Sequence, residues 1–511
     1  MRASDLWISG PQLLLSRARQ WRPPEPDPAI QLLDRPGVLS AINDFRRSFF
    51  AAQQVNQSEH RAAGHWALRL AAFPRTSDQL PSTFAPNGID LLPKMAAEHQ
   101  RCRETAHQIR SGQSKTASGL ACTDIIHIGI GGSDTGPHLL IEALSPLTPS
   151  AAPRPHFLPN LDAHVLARRL ATLDPSRTLV VIVSKSFSTL ETMANAQHCL
   201  KWMKAHGIKN ASDNFFAVTA TPEKAMHWGI EKQRIFYFDE SIGGRYSLWG
   251  PVSLTARVAL GNPAVDDVIK GGAEMDQHFL SAAPAENLPM LLAASDLHNL
   301  HHRGIATLMV SAYDSRLQLL LPYLKQLWME SLGKGVDQSG QPLRQPACPI
   351  LWGDVGTNAQ HAFFQLLHQG HTRVAIELIG VIHPDHSYTD EHRALIANLI
   401  AQAQALSLGQ QHLRPEKICP GGHPVNLLML NRCNGAGLGS LIALWEYRVM
   451  CLAAMQNINP YDQWGVELGK SIADTALKAL SDNDSPAATA DLDAISLATI
   501  ASLRTQMRQT E

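Results

Sequence analysis

Residues 178–192 read TLVVIVSKSFSTLET, and this stretch predicts a strand, a polar turn and a helix in succession. Residues 179–183 form a continuous apolar run, which is typical of a parallel strand buried on both faces. Directly after it lie four hydroxyls and one cation: Ser184, Lys185, Ser186, Ser188 and Thr189. Because a helix N-terminus has unpaired N–H groups and attracts anions, the stretch predicts a phosphate site. The alternative is a capping turn that binds nothing.

The same alternation of apolar runs and helical stretches extends on both sides. Strand-like runs lie at residues 125–130, 156–159, 179–183, 215–218 and 235–238, and again at 306–311, 350–352, 374–382 and 425–430. Helical stretches between most of these runs are typical of βαβ units. The chain is therefore predicted to be α/β, with two doubly wound parallel sheets. In such sheets, ligands bind beyond the carboxyl ends of the strands.

These elements predict five regions along the chain. They are a helical N-terminal region (1–115), a first α/β domain (116–262), a helical connector (263–304), a second α/β domain (305–470) and a helical C-terminal extension (471–511).

Composition narrows the class of protein. The 44 basic and 45 acidic residues nearly cancel, so nucleic-acid and membrane-surface partners are not expected. The seven cysteines are scattered without a CxxC pair, which argues against a disulfide framework or a zinc site. The apolar residues 435–455 include Glu446 and Arg448, which indicates a buried helix. We expect a cytoplasmic protein.

The motif GIGGSDTG at residues 129–136 follows the first strand of the α/β region. It lacks the spacing of a dinucleotide-binding loop, since Asp134 stands where the third glycine belongs and would oppose a pyrophosphate. Gly132 instead allows the backbone to approach a small ligand, with the Ser133 hydroxyl available to it. A tight strand-to-helix turn explains the glycines about as well.

Two stretches offer an oxyanion partner and a base. Arg245 follows two glycines in GGRYS, and its fork of donors suits an oxyanion. Gln326 and Glu330 are predicted to share a face at the end of an apolar helix that starts near Arg316. Glu330 is a possible general base for a carbon acid. The alternatives are a surface arginine and an ordinary surface glutamate.

Two further stretches place polar side chains near helices. His361 follows a glycine-rich turn after a strand and is predicted to lie in the first turns of a helix. Gln463, Glu467 and Lys470 have the spacing of one helix face. A structural histidine and a Glu467–Lys470 salt bridge are the alternatives.

Together these motifs resemble the glucose-6-phosphate isomerase family, from about Asn56 to Lys470. GGRYSLWGP and YDQWGVELGK match its signature segments, whereas GIGGS alone is not specific. The resemblance implies two sugar-isomerase-type domains, each with a five-stranded parallel sheet, and a homodimer with an active site shared between subunits. It also implies interconversion of glucose 6-phosphate and fructose 6-phosphate through ring opening and an enediolate, in glycolysis and gluconeogenesis. No cofactor or metal is expected.

The resemblance implies a role for each candidate residue. Glu330 would move the proton between C2 and C1, and Arg245 would stabilise the enediolate. His361, from the partner subunit, and Lys470 would assist ring opening. The substrate-binding residues would be Gly132, Ser133, Ser184, Lys185, Ser186, Thr189, Gln326 and Gln463.

Three positions depart from the family pattern, namely Ser186, Leu332 and Thr135. The first two lie near proposed contacts and bear on affinity more than on the reaction. Three other functions stay open on the sequence. A non-catalytic sugar-phosphate sensor would not need Glu330, Arg245, His361 and Lys470 together. A nicotinamide-dependent oxidoreductase is disfavoured by the broken glycine spacing. An isomerase of a related substrate, such as mannose 6-phosphate, is also compatible with the sequence.

Overall fold

The computed structural model describes residues 7–20, 26–73, 79–146, 151–481 and 491–508. Its strands are β1 (Ile8–Gly10), β2 (Leu13–Arg19), β3 (Asp124–Ile128), β4 (Arg154–Leu158), β5 (Thr178–Val183), β6 (Phe215–Thr219), β7 (Ile235–Tyr237), β8 (Thr307–Ala312), β9 (Ile350–Val355), β10 (Ala375–Val381) and β11 (Val425–Leu430). Its helices are α1 (Pro28–Leu33), α2 (Val38–Phe50), α3 (His65–Ala72), α4 (Leu92–Arg110), α5 (Thr135–Leu144), α6 (Ala163–Leu170), α7 (Leu190–Ala205), α8 (Pro222–Trp228), α9 (Leu254–Leu260), α10 (Asn262–Ser281), α11 (Leu288–His301), α12 (Leu320–Lys325), α13 (Gly356–Gln360), α14 (Phe364–Gln369), α15 (Thr389–Leu408), α16 (Gly435–Met455), α17 (Glu467–Leu480) and α18 (Ala494–Arg508).

The first sheet is parallel throughout, in the order β4-β3-β5-β6-β7. Its central strand β5 is buried along its whole length, as its apolar run predicts. Helices pack on its strands, with α7 on β5, α8 on β7 and both α6 and α9 on β4. The predicted doubly wound α/β fold is confirmed for this part of the chain.

The second sheet has six strands, in the order β1-β2-β11-β10-β8-β9. Strands β8 to β11 are parallel, as predicted, but β2 runs antiparallel to β11 and β1 antiparallel to β2. The expectation of five parallel strands is therefore wrong for this sheet. The helical prediction for the start of the chain is also wrong at residues 8–10 and 13–19, because pairing with β11 holds β2 extended.

Three long helices pack together in the core of the first part of the chain. Helices α10 and α11, which correspond to the predicted connector, both pack on α16. Helix α16 is long and apolar enough to cross a membrane by length and composition, but almost all of its residues are buried inside the protein. It is a core helix, as its two charged residues predicted.

Helix α16 carries both charges into the core, each with partners. Glu446 Oε2 accepts a hydrogen bond from Arg69 at 2.8 Å, and Arg69 also binds Asp276. Two residues further along the helix, Arg448 binds both oxygens of Asp296 at 2.6 and 2.8 Å and donates to Glu377 at 2.8 Å. Helix α16 is thus tied by ion pairs to α3, α11 and β10, and through Arg69 of α3 to α10.

The chain divides into two compact units, residues 1–460 and 461–511. Both sheets belong to the first unit. The second unit contains a short 3₁₀ turn (Trp464–Val466), α17 and α18. It begins ten residues before the predicted C-terminal extension.

Candidate active site

The strand order of the first sheet creates a crevice at one edge. The chain moves from β3 outward to β4 and then returns to β5 on the other side of β3, so β3 and β5 flank a topological switch point. Ligands of such sheets bind there. The loops that follow these strands contain Gly132 with Ser133, and Ser184 to Thr189, so topology places both predicted phosphate-binding segments at this edge.

The loop after β5 presents hydroxyls at the start of α7. The Ser184 and Thr189 hydroxyl oxygens lie 3.2 Å apart, and the Ser188 hydroxyl donates to Ser186 at 2.9 Å. Thr189 is the N-cap residue of α7, yet its side chain makes no capping hydrogen bond. The arrangement therefore suits an anion at the helix N-terminus better than a plain capping turn.

Phe187 holds this loop in place. Its ring is buried in the core of the first α/β layer, and its backbone adopts φ +47°, a left-handed conformation that is rare for an aromatic residue. Such strain persists only where surrounding packing enforces it, and it is concentrated at functional sites. The buried ring turns the flanking serines outward, and both Ser186 and Ser188 are exposed.

The side chain of Lys185 is engaged elsewhere. Its ammonium donates to the carbonyls of Glu240 and Ile242 at 2.7 and 3.0 Å. Burial, helped by the nearby positive charge of Arg61, lowers the pKa of Lys185 to about 8. The ammonium thus ties the loop after β5 to the loop after β7, and its assignment to the phosphate remains a prediction.

The loop after β3 packs closely against two other predicted site segments. A side chain at Gly132 would place its Cβ 2.1 Å from the carbonyl carbon of Gly244, so only glycine fits there. At Gly131, where φ is +58°, a Cβ would lie 2.9 Å from Nε2 of Gln326. These glycines therefore bring together segments near residues 132, 245 and 326, as the sequence interpretation required.

Asp134 follows these glycines. It is buried, and its Oδ1 has no hydrogen-bond partner within the part of the chain that the structure describes. Burial raises the pKa of Asp134 to about 7. Near neutral pH the side chain is then partly uncharged, which would weaken its repulsion of an anion at the adjacent Ser133.

Arg245 and Glu330 form an ion pair between the first and second halves of the chain. Arg245 Nη1 lies 3.1 Å from Glu330 Oε1, and their side chains are 3% and 22% exposed. The arginine is therefore fixed in the interior, while the carboxylate keeps an accessible side. A donor fork beside an accessible carboxylate is the arrangement that proton abstraction next to a carbonyl needs.

Glu330 ends a π-helical turn that the sequence did not reveal. The predicted continuous helix from Arg316 is wrong, since a 3₁₀ turn (Ser315–Leu317) and the short α12 precede a π turn at Gln326–Glu330. Inserted π turns occur frequently at functional sites. The Gln326 Oε1 atom is buried without a hydrogen-bond partner among the described residues, and a polar ligand would satisfy it.

Three residues around Arg245 were not singled out from the sequence. Ser331 Oγ accepts from Arg245 Nε at 2.6 Å and lies 2.9 Å from the Tyr246 hydroxyl. The Tyr323 hydroxyl donates to the Arg245 carbonyl at 3.2 Å. The only sequence signal is adjacency, since Tyr246 follows Arg245 and Ser331 follows Glu330.

His361 lies at the carboxyl end of α13 rather than in the first turns of a helix. Helix α13 ends at Gln360, and His361 is its C-cap residue, with an exposed side chain. None of the contacts described above for Arg245 and Glu330 involves His361. Its assignment as a residue that acts in the partner subunit stays a prediction.

Gln463 and Lys470 belong to the second unit. Helix α17 begins at Glu467, so the predicted single helix face for Gln463, Glu467 and Lys470 is wrong for Gln463, which precedes the helix. The Lys470 ammonium donates to Glu467 at 2.8 Å, and both side chains are more than half exposed. Exposed pairs of this kind contribute little to stability. Their roles at the site also stay predictions.

Comparisons with known proteins give a consistent result. The model of the family described as phosphoglucose isomerase matches residues 31–497. A glucose-6-phosphate isomerase from Jannaschia sp. is 39% identical over 472 residues, which cover 88% of this chain and 85% of that protein. One from Rhizorhabdus wittichii is 40% identical over 446 residues, with coverage of 86% and 85%.

A solved structure agrees with these sequence matches. The crystal structure of a glucose-6-phosphate isomerase from Chlamydia trachomatis superposes with a TM-score of 0.83 at 30% identity, covering 96% of this chain and 92% of that one. The chain belongs to the phosphoglucose isomerase family.

Proposed function

We propose that this protein is an isomerase that interconverts glucose 6-phosphate and fructose 6-phosphate, with Glu330 as the proton-transfer base. The observation that carries the assignment of roles is the 3.1 Å contact between Glu330 Oε1 and the buried Arg245. A carboxylate removes the weakly acidic C2 proton only if the resulting oxyanion is stabilised at once, which a fixed guanidinium does. Glu330 then returns the proton to C1.

The other assignments follow the order of the reaction. Ser133, Ser184, Ser186 and Thr189, with the N-terminus of α7, hold the phosphate, and Gln326 contacts the sugar. His361 and Lys470 assist opening of the ring, and the assignment of Lys470 and Gln463 rests on the resemblance of YDQWGVELGK to the family signature. These contacts hold the substrate in one geometry, and this positioning contributes part of the rate enhancement. We infer that the enzyme works in the cytoplasm, in glycolysis and gluconeogenesis.

We infer a homodimer from an apolar face on the second unit. Leu468 and Ile472 are four residues apart on α17, and Trp464 lies one turn before them. Trp464 and Leu468 are 60% and 68% exposed. Contiguous exposed apolar side chains of this size indicate an interaction surface. A second copy of the chain is the occupant that a site shared between subunits requires.

The function is tested by following fructose 6-phosphate by NMR with purified protein, in chelating buffer without nucleotide. The expected result is formation of glucose 6-phosphate. Protein with Glu330→Gln, prepared identically, shows whether a contaminating isomerase is responsible. No turnover by the unmodified protein, with tight binding of the sugar phosphate, would instead indicate a sensor. Turnover of mannose 6-phosphate alone would indicate the related isomerase.

Changing Ser184 and Thr189 together to alanine tests the phosphate site. We expect a higher KM and weaker binding of phosphorylated inhibitors, because the α7 N-terminus loses two hydroxyl ligands. Each hydrogen bond to a charged group contributes about 1.5–3 kcal/mol, so affinity should fall at least tenfold. Calorimetric titration with a phosphorylated sugar alcohol measures this. Ser176→Ala, which changes an exposed hydroxyl on the amino side of β5, is the control, and unchanged affinity in the double variant would contradict the assignment.

Mixing inactive subunits tests whether His361 acts in the partner. Subunits with His361→Ala and subunits with Glu330→Gln are each expected to be inactive as homodimers. A hybrid dimer of the two should regain activity, because one of its two shared sites then contains both intact residues. Subunit exchange is monitored with two mass-distinguishable tags. Exchange without any recovered activity would mean that the site is not shared in this way.

A further inference from the structure

Ser331 and Tyr246 form a closed polar circuit with the Arg245 side chain. Arg245 Nε donates to Ser331 Oγ at 2.6 Å, and Ser331 Oγ lies 2.9 Å from the Tyr246 hydroxyl. The Tyr246 hydroxyl reaches the Pro460 carbonyl at 3.4 Å, and Arg245 Nη2 donates to the same carbonyl at 2.7 Å. The circuit begins and ends on the guanidinium.

The direction of these hydrogen bonds follows from the available protons. An arginine only donates, so Ser331 Oγ accepts from Nε and has a single proton of its own to give. The Tyr246 hydroxyl donates to the Pro460 carbonyl, which can only accept, so in the Ser331–Tyr246 contact the serine is the donor. Burial raises the pKa of Tyr246, so the phenol keeps this proton. Ser331 is fully buried and Tyr246 nearly so, which excludes competing water.

We propose that Ser331 and Tyr246 are positioning residues, which fix the guanidinium of Arg245 so that its Nη1 edge faces Glu330. This inference rests on the role of Arg245 proposed above. Nε and Nη2 are both held, so rotation of the guanidinium about its last bonds would break two hydrogen bonds. A donor that is already oriented stabilises a developing oxyanion without reorganisation during the reaction. Ser331 and Tyr246 thus act on the transition state through Arg245.

The test compares Ser331→Ala and Tyr246→Phe with the unmodified enzyme. Because the lost hydrogen bond is to a charged group, we expect Ser331→Ala to lower kcat about tenfold or more, with KM for fructose 6-phosphate little changed. Affinity for a phosphorylated hydroxamate that mimics the enediolate should fall by a similar factor. Affinity for a phosphorylated sugar alcohol, which lacks that charge, should not change. Tyr246→Phe should lower kcat and the affinity for the hydroxamate as well, but by a smaller factor.

Two controls separate positioning from general destabilisation. Ser311→Ala removes another fully buried hydroxyl, which lies in β8 and has no partner among the described residues, and should leave kcat unchanged. The double variant of Ser331 and Tyr246 should lose little more than Ser331→Ala alone, because the circuit is already broken. If Ser331→Ala does not fold, Tyr246→Phe is judged by the same two inhibitors.

The results that would overturn the positioning role of Ser331 and Tyr246 differ from those that would overturn the proposed function. Full kcat and unchanged hydroxamate affinity in both single variants would overturn the positioning role, provided that Arg245→Ala is inactive. Normal activity of Arg245→Ala would instead overturn the role proposed for Arg245. Equal losses of affinity for both inhibitors would show that the circuit only maintains the shape of the site, and this too would overturn the inference.

Discussion

Glu330→Gln should lower kcat by at least about 10²–10⁴-fold, the usual contribution of general-base catalysis. The amide keeps the size of the side chain and an oxygen that accepts from Arg245 Nη1, as Glu330 Oε1 does at 3.1 Å. The fall in kcat therefore measures the loss of a basic group rather than a change in the geometry of the site. In D₂O, exchange of the C2 hydrogen with solvent should slow in parallel, while affinity for a phosphorylated sugar alcohol stays unchanged.

The matched control is Glu104→Gln, which changes an exposed carboxylate on α4 that binds only Gln100 in the described contacts. It should leave kcat, exchange and affinity unaltered. A Glu330→Gln enzyme with near-normal kcat would contradict the mechanism. An enzyme that loses kcat but still exchanges the C2 hydrogen would assign Glu330 to a different step.

Arg448→Met should destabilise the protein by about 3–5 kcal/mol, the typical cost of removing one partner from a buried ion pair. Arg448 is fully buried, and its removal leaves the carboxylates of Asp296 and Glu377 without their cation. Although burial alone would lower the pKa of Arg448, these two carboxylates outweigh it and raise the pKa. Urea unfolding followed by tryptophan fluorescence measures the change.

The stability lost in Arg448→Met should also depend on pH. Burial raises the pKa of Asp296 and of Glu377 even beside Arg448. Without the arginine, the folded state holds protons on these carboxyls that the unfolded state releases. These two carboxyls therefore make the variant lose stability as the pH rises from their unfolded pKa to the raised folded values, and its deficit grows over that range.

Arg393→Met is the matched control, since its ion pair with Asp390 on α15 is 78% and 87% exposed. It should change the free energy of unfolding by no more than about 1 kcal/mol. A triple variant with Arg448→Met, Asp296→Asn and Glu377→Gln should recover part of the lost stability, because no buried charge then remains unpaired. Similar stability of Arg448→Met and Arg393→Met would contradict the importance of the buried network.

Nine of the strands were predictable from strand-like runs, which are clearest in the inner parallel strands β3, β5, β6 and β10, where every residue is buried. Strand β2 could not be predicted in this way. Its sequence, LLLSRAR, combines apolar residues with arginines, and it becomes a strand only through pairing with β11. The register joins Leu13 to Leu430, and no local pattern reports such a contact. Strand β1 depends on β2 in turn.

The features of the candidate site also differ in whether the sequence could predict them. Residues at strand ends, such as Ser133 and Ser184, could be proposed as candidates because parallel topology gathers the loops at one edge. The sequence did not predict the hydrogen bonds from Lys185 to the carbonyls of Glu240 and Ile242, because they depend on how two loops meet. The π turn at Gln326–Glu330 was missed for a related reason, since its sequence is that of an ordinary helix.

The pairing of β2 with β11 also limits how the chain can fold as it is synthesised. Arg19 pairs with Val425, so the partner strand leaves the ribosome about 20–80 s after β2, at 5–20 residues per second. The first sheet, by contrast, is complete once Tyr237 has emerged. We therefore expect the first sheet to form during translation, while β2 waits with an unpaired edge. An unpaired edge of this kind is a template for association between chains, and chaperones that bind nascent chains would shield it.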